Sequence, residues 1–297
     1  MRITFNTNLA DMQAAIAAAA EDMATHQREL STGRRLNAAS DDPAAACAAI
    51  AEHTEMSALD QYTASSESVG SRLQVIDGAL SELINQATAA QTAALSARGS
   101  TQKPAQLEAA GAQLESIRDS VVSIMNTKFR GTYLFSGNEP ATAPYTKDGS
   151  TVSAYQGGSG VVRVDIDRQA AIQVGYSGDD VLKGSDSADL IQTLTDLAAA
   201  ARSGDANALA AGSAALDAAF SRLTTVQTRV GNDMAQVDVR KQQLTTRRLS
   251  AQSRLSNLED ADLATAVSDM NRAEVAYQAA LKAASSATRP TLLDYLK

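Results

Sequence analysis

The sequence contains no tryptophan, and aromatic side chains of all kinds make up 4% of its 297 residues. A thick core built on large rings is therefore excluded. Alanine instead fills positions where a globular chain would place Leu, Ile or Phe, and such small side chains let helix axes approach closely. Cysteine occurs once, at Cys47, so no internal disulfide can form. Its setting, Pro43-Ala44-Ala45-Ala46-Cys47-Ala48-Ala49, predicts a small packed residue standing in for alanine, with no nearby Lys, Arg or His to activate the thiol.

No uninterrupted apolar run approaches the roughly 18 residues needed to span a membrane, and the opening Met1-Arg2-Ile3-Thr4-Phe5-Asn6-Thr7-Asn8 lacks the apolar core of a cleaved secretory signal. Net charge is -8 and the pI about 4.9, so the field of the chain repels nucleic acid and anionic membranes. Neither nucleic acid nor membrane insertion is expected.

Catalytic, metal and cofactor sites are lacking as well. The two histidines, His26 and His53, fall on different predicted helices, and no Cys/His spacing resembles a zinc site. His26 occupies a helix seam, which suits packing or a helix–helix hydrogen bond. Gly157-Gly158-Ser159-Gly160 is followed by a predicted strand, Val161-Val162-Arg163-Val164, whereas a phosphate loop needs a Lys-Ser/Thr pair and a helix there. Ser177 to Asp186 echoes a calcium-binding Gly/Asp nonapeptide, but such repeats work only in stacks. The segment reads instead as a loop, with Asp186 or Ser187 capping the next helix. The acidic group Glu259-Asp260-Asp262 has no His beside it and reads as a cap or a solvent face. These absences speak against an enzyme and against any cofactor.

What is present is helical periodicity. Leu9, Met12, Ile16, Ala19, Met23, His26 and Leu30 recur at steps of three and four until Gly33. Asp42 then caps, and Pro43 opens, a helix running to about Arg98, roughly 80 Å of backbone at 1.5 Å per residue. Its later half carries Val69, Leu73, Ile76, Leu80 and Leu83. Pro104 opens a third helix with Leu114, Ile117 and Val121 on its seam. Past Tyr133 the pattern changes to Gly turns and period-two apolar residues, Val162-Val164-Ile166 and Ile172-Val174-Tyr176, with Asp148-Gly149 as a hairpin turn. Helical spacing returns near Ala188, pauses at Ser203-Gly204-Asp205, and runs on through Leu223, Val230 and Val237. It ends on a last stripe, Leu263, Val267, Met270, Tyr277 and Leu281.

The pattern predicts a mainly α chain, a long antiparallel helical rod with a small antiparallel β region at mid-chain. The expected division is 1–42 with 255–297 as a terminal helical domain that forms a tube, 43–132 with 187–254 as the helical rod, and 133–186 as a small β-rich outer region. The terminal stripes (Leu9, Met12, Ile16, Met23, Leu30; Leu263, Val267, Met270, Tyr277, Leu281) are expected to serve assembly. The rod seam (Val69, Leu73, Ile76, Leu80, Leu83, Leu114, Ile117, Val121, Leu223, Val230, Val237) is expected to pack internally.

Two blocks at opposite ends carry a resemblance. Leu30-Ser31-Thr32-Gly33-Arg34-Arg35-Leu36-Asn37-Ala38-Ala39-Ser40-Asp41-Asp42-Pro43-Ala44 resembles the N-terminal signature of the flagellin superfamily. Ser256-Asn257-Leu258-Glu259-Asp260-Ala261-Asp262-Leu263-Ala264 and Ala276-Tyr277-Gln278-Ala279-Ala280-Leu281 resemble its C-terminal signature. Arg130-Gly131-Thr132-Tyr133-Leu134-Phe135-Ser136-Gly137, Asp41-Asp42-Pro43, the opening Met1-Arg2-Ile3-Thr4 and the closing Leu292-Leu293-Asp294-Tyr295-Leu296 look more like the hook-filament junction branch than like flagellin. Cys47 and the short β insert depart from the pattern.

The resemblance implies an extracellular, self-assembling flagellar subunit. It would be exported without a cleaved signal through the flagellar type III route, with a chaperone on the C-terminal helix. Its partners would be the first hook-associated protein, flagellin and copies of itself in a ring. Two alternatives share the seams: a short flagellin, and a cytosolic chemoreceptor-like helical bundle, which needs neither the β region nor the terminal blocks.

Overall fold

A computed structural model describes residues 2–99, 103–149, 151–185 and 189–287, with side chains from residue 10 to 286. The fold is mainly α. Helices α1 (Arg2–Thr32), α2 (Pro43–Ala97) and α3 (Pro104–Met125) precede six short strands, and α4 (Gly178–Leu182), α5 (Leu190–Ser203), α6 (Ala206–Glu259) and α7 (Leu263–Ala287) follow them. The chain divides into two compact units, Met1–Ala58 with Thr246–Lys297, and Leu59–Thr245.

Helix boundaries sit where backbone chemistry puts them. The Asp42 carboxylate accepts from the N–H groups of Ala44 (3.1 Å) and Ala45 (3.0 Å), and Pro43 occupies the first helical position, where no donor is needed. Helix α5 ends on Gly204 at φ 67, a left-handed conformation that suits glycine, and Asp205 caps α6 through Asn207 (2.9 Å) and Ala208 (3.1 Å). The cap of α5 is Asp189, accepting from Gln192 N–H at 2.6 Å. This replaces the expected Asp186 or Ser187, which lie outside the described residues, because the apolar face of α5 starts only at Leu190. Another correction concerns the expected loop after Ser177, which contains the helical turn α4 with Val181 and Leu182 buried.

In the unit 59–245, α2 and α6 run antiparallel. Gly70 faces Val237, Asp77 and Ser81 meet the Gln227 amide, and Gln91 meets Asp217. Val69, Leu73, Ile76, Leu80, Leu83, Leu114, Ile117, Val121, Leu223, Val230 and Val237 are all buried in one cluster. Helices α3 and α5 pack together, and Gly111 permits the approach, since a Cβ there would meet the Arg202 side chain at 2.7 Å. Arg202 then forks onto Glu115 with two 2.7 Å bonds and reaches Glu108 at 3.1 Å. The Arg202 guanidinium holds the Glu115 carboxyl below its ordinary range.

The strands form three separate antiparallel pairs: β1 (Lys128–Phe129) with β2 (Thr132–Tyr133), β3 (Lys147–Asp148) with β4 (Thr151–Val152), and β5 (Arg163–Asp167) with β6 (Ala170–Gln173). Pairing begins at Lys128, upstream of the expected start at Tyr133. The region shares its core with the helices. Leu134, Phe135, Tyr145, Ile166 and Tyr176 are buried in the same cluster as Leu73 and Leu80, and the Tyr176 hydroxyl donates to Asp233 at 3.0 Å.

Candidate assembly site at the chain ends

The unit made by the two ends contains α1, α7 and the adjoining turns of α2 and α6. Antiparallel α1 and α7 are stitched at their turn ends. Ala261 N–H donates to Gly33 O at 2.9 Å, while Arg35 N–H (2.7 Å) and Leu36 N–H (3.3 Å) donate to Glu259 O. Gly33 makes this turn at φ 69. The Asp262 carboxylate caps α7 by accepting from Ala264 and Thr265, which lowers its pKa.

At the centre of the stitch lies Glu259, 8% exposed. Its Oε1 is 2.7 Å from His53 Nε2 and its Oε2 3.5 Å from an Arg34 nitrogen. Alongside, Arg254 forks onto Glu52 at 2.7 and 2.9 Å. The expectation of a solvent face fails for Glu259, because the turn folds its side chain under Arg34 and beside α2. No local signal marks this pairing, since its members are separated by about two hundred residues. Among the described residues no group of His, Cys, Asp and Glu could hold a metal ion. His26 instead lies 3.0 Å from Glu29, one turn along its own helix.

The packing of this unit is thin. Its fully buried apolar side chains, among the described residues, are the alanines Ala45, Ala46, Ala49, Ala251 and Ala266. A buried methyl contributes on the order of 0.8 kcal/mol, while ordering one backbone residue costs about 1–2 kcal/mol. On α1, Met12, Ile16, Met23 and Leu30 are half-buried; the Leu9 side chain lies outside the described residues. On α7 the packed face is Ala266, Met270, Ala273, Tyr277 and Ala280, and the larger Leu263, Val267 and Leu281 lie beside it at 55%, 49% and 42% exposure. Alanine wins the interface because it allows the helices to come closer.

Sequence reasoning missed Val275 on α7 and Ile50 on α2, both largely exposed. Cys47 is a further correction. It is exposed, because Ala45, Ala46 and Ala49 take the inward positions of that turn and Cys47 points away with Ile50. By helical spacing Leu263, Val267 and Leu281 fall on one arc of α7, and an exposed apolar arc is a surface that association can cover.

Paired helical chain ends, and a middle segment with a core of its own, define a flagellin-like structural fold. The helical regions of bacterial flagellin match this chain at both ends, the N-terminal region over residues 3–140 and the C-terminal region over residues 214–296. The flagellar hook-associated protein 3 of Salmonella typhimurium is 23% identical over 277 residues, covering 86% of each chain. A solved flagellar hook-associated protein from Vibrio parahaemolyticus superposes with TM-score 0.69 at 19% identity, over 74% of this chain and 100% of that one. The flagellar junction protein of Legionella pneumophila gives 0.60 at 11% identity, over 72% of this chain and 100% of that one. The chain belongs to the flagellin superfamily, with the hook-associated protein 3 relatives, and is a structural component of the bacterial flagellum. Among the described residues no helix is long and apolar enough to cross a membrane.

Proposed function

We propose that this subunit joins the hook side of the flagellum to the flagellin filament, contacting the first hook-associated protein on one side and flagellin on the other within a ring of its own copies. Export through the flagellar type III route, with a chaperone on the C-terminal helix, belongs to the same reading, as does an extracellular location. The observation that carries it is that, among the described residues of the terminal unit, the buried apolar side chains are all alanines while Leu263, Val267, Val275 and Leu281 are exposed. Helices with so little buried area are marginal alone and gain order from neighbours. The domain division expected from the sequence, a tube-forming end, a rod and an outer β region, is part of the proposal.

Leu281→Asp should block incorporation into flagella while leaving the melting of the 59–245 unit unchanged, because Leu281 belongs to the other unit and is 42% exposed in the isolated chain. Mass spectrometry of sheared flagella from cells carrying each version reads this directly. Trace amounts of wild-type protein are expected for a junction ring, whereas bulk amounts would identify a filament protein. Normal incorporation of the Asp variant would remove the terminal helices from the assembly contact.

A further inference from the structure

A second site lies in the unit Leu59–Thr245. Between α2 and the strand pairs β1–β2 and β5–β6 runs a groove of about 450 Å³, floored by Val69, Phe129, Val164 and Val174 and flanked by Arg72 and Arg130. Its floor is apolar, yet both charged groups on it are cations.

These two guanidiniums differ from the arginines that are paired with acids. Arg34, Arg118, Arg202, Arg240, Arg254 and Arg272 each lie on a carboxylate. Arg72 meets only neutral acceptors: Val174 O at 2.8 Å, Thr132 Oγ1 at 3.2 Å and Tyr133 O at 3.5 Å. Burial without a counter-charge pushes its pKa below the usual guanidinium value. Arg130 donates to Ser68 Oγ at 3.3 Å and stacks 5.3 Å from the Phe129 ring, again with no carboxylate among the described residues. In a chain of net charge -8, two cations left unmatched on one apolar groove mark a place where an anion is missing.

The turn that carries Arg130 fixes its backbone. Arg130 sits at φ 49, and it is the non-glycine residue with positive φ among the described residues. Arg130 and Gly131 (φ 84) are the two central residues of the tight β1–β2 hairpin, a turn that needs positive φ at both positions, so the Arg130 side chain leaves the groove wall from a fixed backbone.

We infer that this groove docks a segment of a neighbouring protein that carries one carboxylate side chain between apolar ones, the carboxylate bridging Arg72 and Arg130 and the apolar neighbours covering Val69, Val164 and Val174. Arginine suits the task because its planar fork matches a carboxylate. The docking is independent of the terminal helices and would persist in a variant whose ends cannot assemble.

The full-length chain, labelled at its valine methyls, is titrated with N-acetyl-leucyl-aspartyl-leucine amide and with the asparagine version of the same peptide. The acidic peptide should give saturable shifts confined to the Val69, Val164 and Val174 methyls, and the asparagine peptide should bind about tenfold more weakly or worse. Arg130→Gly keeps the turn, since glycine favours its φ, and should reduce the affinity by a similar factor with an unchanged thermal midpoint. Arg130→Lys, which keeps the charge, should retain part of the affinity. Equal binding of the two peptides, full affinity in Arg130→Gly, or no saturable shift with the acidic peptide would each overturn the inference.

Discussion

Glu259 Oε1 and His53 Nε2 lie 2.7 Å apart across 206 residues of sequence, on a carboxylate whose other oxygen faces Arg34. The Glu259 side chain and its backbone carbonyl thereby help fasten the α1–α2 and α6–α7 turns to one another, together with the Ala261–Gly33 bond and the Arg35 side chain on Leu258 O.

Replacing Glu259 with Ala keeps the carbonyl bonds and removes the side-chain ones. Arg34 and His53 are half exposed and can turn to water, so the loss should be modest, about 1–2 kcal/mol of local stability. Hydrogen exchange should quicken at residues 29–36 and 258–266, with the 59–245 unit unaffected. Unchanged exchange at those turns would show that the backbone stitch suffices.

Burial raises the pKa of the Tyr176 phenol, and the Asp233 carboxylate that accepts its proton raises it further. Unfolded tyrosine ionises near pH 10, whereas folded Tyr176 keeps its proton. The stabilisation is complete below pH 10 and is lost as pH rises from there toward the folded value. The thermal midpoint of the 59–245 unit should therefore fall above pH 10, and Tyr176→Phe should flatten that fall. An identical alkaline profile in the Phe variant would assign the loss to other groups.

Leu80 is 0% exposed, so Leu80→Asp places an unpaired charge in the α2–α6 seam. A destabilisation of about 3–5 kcal/mol is expected, visible as a large drop in the denaturant midpoint. A shift below about 1 kcal/mol would mean the seam opens readily to water.

Gly137 sits at φ 60, and a Cβ built there would lie 1.9 Å from Gly158 O. Gly137→Ala combines backbone strain with a clash that only main-chain movement can relieve, and should cost about 2 kcal/mol or more. The Tyr155 hydroxyl, which donates to Phe135 O and Gly158 O, should change its near-ultraviolet signal with it. A folded variant with an unaltered Tyr155 environment would count against the fit.

Much of this molecule is written locally. The Asp42-Pro43 start, the Gly204-Asp205 break and the long three-four seams depend on each residue's own backbone preferences and near neighbours, so they are legible in a single sequence. The mainly α fold with a mid-chain β region follows from them, and the paired terminal blocks carry the superfamily. Periodicity gave the apolar arc of α7 but not the half of it that packs. Leu263, Val267 and Leu281 are the strongest hydrophobes, yet Ala266, Ala273 and Ala280 form the contact, because interhelical distance is set by the partner helix as well. Cys47 turned outward for the same reason.

From the sequence alone came the long helices, the Asp42-Pro43 start of α2 and the β region at mid-chain. The tertiary structure alone decided that Glu259 is buried under Arg34 and beside His53, and that Arg72 and Arg130 flank one groove without a counter-charge. Those relations join residues about 60 to more than 200 positions apart, and the electrostatics of a charge depend on what surrounds it in space.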